Sequence, residues 1–198
     1  MGYSLIVVCE MSSSFSVGDR ITVTLESWGR LGEALASHGG FPVFVFGGIP
    51  GERAVVEVLR TRRRHISARV VEVLRPSIHR VEAPCRYFGL CTGCQWQHID
   101  YQYQLKIKRD MVIDALVRVG NLHDVLVEQT IASPREYNYR NHARLTVNGN
   151  GNLCYVNRET RQKVIINRCL LMGHWINNTI QQLQGLCAET TQMSIRHS

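Results

Sequence analysis

The sequence predicts a mainly β chain of the α+β class, on three observations. Five short apolar runs with period-two alternation follow one another over residues 20–75. Three cysteines within ten residues, 85–94, lead into one helical stretch ending near Gly120. A partial antiparallel sheet then follows, around the hairpin signal Asn148-Gly149-Asn150-Gly151.

The first strand is expected at 20–27, where Ile21, Val23 and Leu25 alternate with Thr22, Thr24 and Glu26. Gly29, Gly32, Gly39 and Gly40 punctuate the second, and 41–46 makes the third. Gly47-Gly48-Ile49-Pro50-Gly51 is a strong turn. Strands four and five fall at 54–59 and 66–74, joined by Arg62-Arg63-Arg64-His65. Five strands so spaced suit a small closed barrel of the oligonucleotide-binding kind.

Asp100 suits the N-cap of the helix and Gly120 its stop. Tyr101, Leu105, Lys108, Val112, Leu116 and Val119 share one face, with the Lys108 stem lying along it. Further strands are expected at 125–131, 141–148, 153–156 and 164–167, with Ala143, Leu145 and Val147 inward and His142, Arg144 and Thr146 outward. A short helix should begin near Gly173, and the last dozen residues should be loosely ordered. The chain thus divides into an extension (1–16), a barrel domain (17–76) and a cysteine-bearing central domain (77–198).

With 198 residues, 44% hydrophobic and 20% charged, the chain can bury a core and is not a disordered tail. Its net charge is +7. Up to Pro84, 10 Lys+Arg face 8 Asp+Glu; from Cys85 onward it is 13 against 8. That mild excess permits a polyanionic partner such as nucleic acid, and it also serves plain solubility. No run approaches the ~20 apolar residues of a membrane helix, and residues 5–9 lack the features of a signal peptide. Met11-Ser12-Ser13-Ser14 reads as a natural start, which makes 1–10 a misassigned upstream extension. A cytoplasmic monomer is expected. Its seven cysteines then point to metal binding or packing rather than disulfides.

Cys85, Cys91 and Cys94 stand as C-x5-C-x2-C. The C-x2-C pair puts two thiolates on one turn, and Cys85 adds a third from the preceding loop. A fourth ligand would come from Cys9, Cys154, Cys169 or Cys187, or from His98 if the metal is zinc. Spacing leaves zinc and a 4Fe-4S cluster both open. Three inert buried thiols, or a redox disulfide between Cys91 and Cys94, are the rival readings.

The block Pro84-Cys85 through Cys91-Thr92-Gly93-Cys94-Gln95-Trp96-Gln97-His98, followed by Tyr101, Gln104, Leu105, Lys108 and Val112, resembles the cluster-binding segment of bacterial 23S ribosomal RNA uridine-5 methyltransferases. The stretch before it resembles their TRAM domain, in Gly29-Arg30-Leu31-Gly32-Glu33-Ala34, Val43-Phe44-Val45, Ile49-Pro50-Gly51-Glu52 and Ser77 to Arg80. Tyr139-Arg140-Asn141-His142-Ala143-Arg144 and Asn167-Arg168-Cys169 continue the likeness, which covers roughly 17–180. The resemblance implies a 4Fe-4S cluster held by Cys85, Cys91, Cys94 and Cys169. Thr92 stands where the family usually has glycine, and Leu170 where it usually has proline.

The resemblance further implies RNA as partner and methylation at carbon 5 of a uridine. In that chemistry an enzyme cysteine attacks carbon 6, S-adenosylmethionine gives its methyl group, and a base removes the carbon 5 proton. The family carries those groups in a doubly wound domain. Its strand, Gly-rich turn and helix are not found in 1–198, so the chain reads as the front part of such an enzyme. Candidate RNA contacts are Arg140 and Arg144, Arg62, Arg63 and Arg64, and two stacking rings, Trp96 and Tyr139. Trp96 suits covering a cluster equally well. The rival functions are a stand-alone RNA-binding module and a small zinc protein with a protein partner.

Overall fold

The computed structural model describes residues 15–157 and 160–196. Residues 1–10, with Cys9, and Met11 lie outside the described residues, as do His197 and Ser198. The class is α+β and mainly β: a six-stranded sheet, a four-stranded sheet and two helices.

The first sheet comprises β1 (Arg20–Thr24), β2 (Ser27–Trp28), β3 (Ala34–His38), β4 (Phe41–Phe46), β5 (Arg53–Arg62) and β6 (His65–Arg75), in the order β1-β5-β6-β4-β3-β2. Neighbours are antiparallel except β4 and β6, which run parallel. Six strands stand where five were expected: the first expected strand, 20–27, breaks at Leu25 and Glu26, and its end joins Trp28 as β2, which the turn around Gly32 separates from β3. β1 and β2 are successive pieces of one segment, so that segment lies along both edges of the sheet. At the junction Leu25 N–H donates to Glu52 O (2.8 Å), while Glu26 N–H donates to Leu35 O (2.7 Å). Register shifts along the β5–β6 pair bend the sheet. Its inward face, with Val23, Val43, Val45, Val56, Val58 and Ile66 at alternate positions, forms a buried core.

The polypeptide from β6 to the first helix, α1 (Tyr101–Arg118), is joined to the sheet by a small apolar cluster. Ile49, Ile99 and Ile107 are buried there, with Trp28, Trp96, Tyr103 and Met111 packed around them. Asp100 caps α1, its Oδ1 accepting from Tyr103 N–H at 2.9 Å. The buried side of α1 is therefore Tyr103, Ile107 and Met111. The expected face is displaced: Val119 is 76% exposed and Val112 49%. The reason is position. The apolar surface offered to α1 is the Ile49–Ile99 patch, and only Ile107 and its i−4 and i+4 neighbours reach it.

The strand expected at 125–131 does not form. Its alternation is present, but the segment runs beside α1, where Arg109 Nε donates to Val127 O (2.8 Å) and Thr130 Oγ1 to Leu105 O (2.9 Å). A strand needs a neighbouring strand to satisfy its backbone, and among the described residues 125–131 joins neither sheet.

The second sheet contains β7 (His142–Val147), β8 (Leu153–Val156), β9 (Lys163–Ile165) and β10 (Gln192–Arg196), ordered β10-β7-β8-β9 and antiparallel throughout. Helix α2 (His174–Leu183), with Gly173 at its N-cap, covers one face. Ala143, Leu145, Val147, Leu153, Ile176, Ile180 and Ile195 share the core. Within the last dozen residues, expected to be loose, 192–196 instead pairs with β7 and buries Ile195. Only Met193 and Ile195 carry the apolar alternation of β10, too few to announce a strand in the sequence.

Candidate functional site

Cys85, Cys91 and Cys94 lie on the segment between Arg80 and Ile99, which are themselves paired as an antiparallel bridge. The loop has little regular structure, so other groups hold it. Phe88 N–H donates to Cys85 O (2.9 Å) and Cys91 N–H to Tyr87 O (2.7 Å). Asn157 Nδ2 donates to Leu90 O (2.8 Å), pinning the loop to the end of β8. Gln104 Nε2 reaches from α1 to the carbonyls of Trp96 (3.1 Å) and Ile99 (2.9 Å). Trp96 Nε1 donates to Gly32 O at 2.7 Å, tying the loop to the first sheet. Gly32 has φ +87°, a conformation that favours glycine, and a Cβ there would also crowd the Trp96 ring at 3.0 Å.

Cys169 arrives from after β9. Asn177 of α2, 5% exposed, fixes its backbone: Cys169 N–H donates to Asn177 Oδ1 (2.8 Å), and Asn177 Nδ2 donates to Cys169 O and Met172 O, both at 3.0 Å. The sequence reading missed Asn177. Its signal was a polar residue set among Ile176 and Ile180 on the inward face of an otherwise amphipathic helix.

All four of these cysteines line one cavity of about 70 Å³. Phe88, Tyr155, Ile166 and Leu171 supply apolar wall, and Arg140 stands at its side. Burial pushes the Cys91, Cys94 and Cys169 thiols above their ordinary range, and the neighbouring cysteines push them further. Opposing this, the backbone N–H of Gly93 points at the Cys91 sulfur, the Gln97 side chain at that of Cys94, and the N–H groups of Leu171 and Met172 at that of Cys169. Such a site disfavours several thiolates unless a cation joins them. Among the described residues, no three His, Cys, Asp or Glu side chains are grouped as holders of a single metal ion.

Cys154 and Cys187 are buried in the second sheet's half of the molecule, off the cavity wall. His98 is also off it: buried beside Phe88, its Nε2 lies 3.4 Å from Gly48 O and its Nδ1 has no hydrogen-bond partner among the described residues.

Of the candidate RNA contacts, Arg140 lies beside the cysteines, its guanidinium 5.8 Å from the Tyr139 ring. Arg144 is exposed on β7. Arg62, Arg63 and Arg64 are exposed on the β5–β6 hairpin and do not line the cysteine cavity. Trp96 is half-buried, stacked obliquely on Trp28 with 5.6 Å between centroids.

No helix among the described residues is long and apolar enough to cross a membrane. No protein-family model matches the chain. Curated relatives do. The chain is 32% identical over 174 residues to an uncharacterized RNA methyltransferase of Halalkalibacterium halodurans, covering 86% of this chain and 38% of that protein. It is 29% identical over 171 residues to one of Synechocystis sp., covering 84% and 37%. Among solved structures it is similar to the Pyrococcus abyssi tRNA (uracil-54, C5)-methyltransferase in complex with S-adenosyl-L-homocysteine, with TM-score 0.55 and 22% identity over 82% of this chain and 35% of that one. The chain is therefore similar in sequence to RNA methyltransferases and in fold to a solved tRNA methyltransferase, and it spans under two fifths of the length of these relatives.

Proposed function

We propose that the chain is the RNA-binding, iron–sulfur portion of an S-adenosylmethionine-dependent RNA uridine-5 methyltransferase acting on 23S ribosomal RNA in the cytoplasm. Residues 17–76 form its TRAM domain, and 77–198 carry the cluster and central RNA-binding surface. Methyl transfer and S-adenosylmethionine belong to the remaining length of such enzymes.

The observation that carries this reading is the convergence of Cys85, Cys91 and Cys94 with Cys169, from segments some seventy-five residues apart, on one cavity. The donor set fits a 4Fe-4S cluster: four thiols, peptide N–H groups aimed at the sulfurs, and an apolar shell. Thiolates on one zinc stand about 4 Å apart, given Zn–S bonds of ~2.3 Å. Four cysteines lining one cavity are compatible with either group, so iron and sulfide content is what separates them. Bound there, a cluster supplies a cross-link between the 85–94 loop and the segment entering α2. The residues do the rest: Asn177 and Asn157 hold the two ligand-bearing segments, Phe88 and Tyr155 exclude water, and Arg140 stands ready for a phosphate.

Anaerobically purified protein should be brown, with about four iron and four sulfide per chain. Cys91→Ser or Cys94→Ser should abolish both, and Cys187→Ser should leave them in place. Stoichiometric zinc in colourless protein would overturn the reading.

A further inference from the structure

Beside the cysteine cavity lies a second, larger hollow, a groove of about 510 Å³. Its walls come from the loop 93–97, the first two turns of α1 and the segment 133–140. Gly93, Cys94, Gln97, Arg140 and Leu171 line both spaces, so the groove shares a wall with the thiols.

The chemistry of the groove is uneven. Lys108, Arg135 and Arg140 face it against one carboxylate, Glu136, and the rings of Tyr101, Tyr137 and Tyr139 stand among them. The 133–140 wall is built rather than draped. Tyr101 Oη accepts from Ser133 N–H (2.8 Å), Asn138 N–H donates to Leu170 O (2.8 Å) and Arg140 N–H to Leu171 O (2.9 Å). Asn138, between two of the tyrosines, is held at φ 55°, a left-handed conformation that a non-glycine residue adopts at some cost. Tyr139 nevertheless remains 52% exposed. Tyr139 is an aromatic ring kept half in water on a pinned turn, with the Arg140 guanidinium 5.8 Å from its centroid and Lys108 and Arg135 lining the same groove, a surface that suits a planar anionic ligand.

We propose that this groove seats an unpaired segment of RNA, with a base stacked on Tyr139 and phosphates on Lys108, Arg135 and Arg140. The inference deepens the RNA-binding reading above and rests on it. Duplex RNA hides the faces of its bases, whereas an unpaired strand offers one π-face per nucleotide and one phosphate for each cation. An acidic peptide would satisfy the cations but would leave the ring without a partner.

The test uses the iron-loaded chain and a fluorescent unpaired oligoribonucleotide of about ten nucleotides, a length on the scale of one single-strand site. Tyr139→Ala should weaken binding roughly tenfold, as loss of one stacked base does, and Tyr139→Phe should restore it. Lys108→Ala should weaken binding and flatten its salt dependence. A 4-thiouridine strand should crosslink within 133–140. Unchanged binding by Tyr139→Ala, or crosslinks only around Arg62–Arg64, overturns the groove while RNA binding stands. Absence of any binding at low salt overturns the RNA-binding reading itself, so the two failures are distinct.

Discussion

Arg80 grips Glu52 with two hydrogen bonds, Nε to Oε1 at 2.6 Å and Nη2 to Oε2 at 2.7 Å, and Glu52 is completely buried. The same carboxylate accepts from Ile49 N–H (2.9 Å) and Ser77 N–H (3.0 Å), and Arg80 Nη2 also donates to Gly47 O (2.8 Å). Burial alone would raise the Glu52 pKa. The Arg80 hydrogen bond, the two peptide N–H groups and the Arg80 charge outweigh it, and the net shift is downward. One carboxylate thereby locks the turn after β4 to the start of the cysteine segment.

Arg80→Leu should therefore destabilise the protein by about 3–5 kcal/mol, the cost of leaving one partner of a buried pair uncompensated. The double variant Glu52→Leu/Arg80→Leu should recover much of that loss, since an apolar pair of similar volume needs no desolvation. Urea midpoints report both. A single variant as stable as wild type would show that water already reaches the pair.

His98 makes the stability pH-dependent in a separate window. Burial first, then the Arg80 charge, lower its pKa from 6.5 to about 4, against the opposing Gly48 carbonyl and Glu52. The folded state thus refuses a proton that the unfolded state accepts. Stability is full above about pH 6.5 and declines as pH falls to about 4, by roughly 3 kcal/mol in all. Glu52, with its lowered pKa, keeps its contribution above the unfolded carboxylate pKa of ~4.3 and loses it only below that. Urea midpoints at pH 7, 5.5 and 4.5 should fall for wild type and much less for His98→Gln. Parallel curves for the two proteins would refute the assignment.

The sequence carried the first sheet well, because one buried face imposes alternation and glycines mark the turns. The spacing set Cys85, Cys91 and Cys94 apart as a group and the likeness added Cys169, and all four line one cavity. Three things were not legible. The working face of α1 depends on Ile49 and Ile99, which belong to other segments and say nothing about register in the helix itself. Residues 125–131 alternate like a strand but run beside α1, bonded to Arg109 and Leu105, a fact of tertiary structure. β10 has only Met193 and Ile195 to show, and β7 does the rest by offering an open edge.

Asn177 tests whether the fourth cysteine must be held. Asn177→Leu removes three hydrogen bonds at Cys169 and Met172 and leaves buried peptide groups without partners, a cost of about 1–3 kcal/mol for each group left unsatisfied. We expect iron per chain to drop by at least half, with the remainder lost faster to a chelator. Asn177→Asp keeps the acceptor for Cys169 N–H and loses both donors, so it should fall between. Full iron retention in Asn177→Leu would mean that Cys169 is positioned by the chain around it alone.

The candidate arginines fall on two separate surfaces. Arg140 stands between the cysteine cavity and the groove, and Arg144 projects from the solvent side of β7 two residues after His142, whose ring bonds Ser194 Oγ at 2.8 Å. Arg62 and Arg63 sit on a hairpin tip, where charge also serves solubility. If RNA lies along the cysteine side, Arg140→Ala/Arg144→Ala should reduce affinity for unpaired ribosomal RNA by about tenfold or more. It should also reduce the slope of log K against log salt by roughly 0.7 for each phosphate that is no longer neutralised. Arg62→Ala/Arg63→Ala should change affinity less than threefold. A rigid surface concentrates its phosphate-binding groups, so the slope should change with only one pair. A diffuse field lowers it equally with both, and equal slopes would remove the cysteine side from the RNA path.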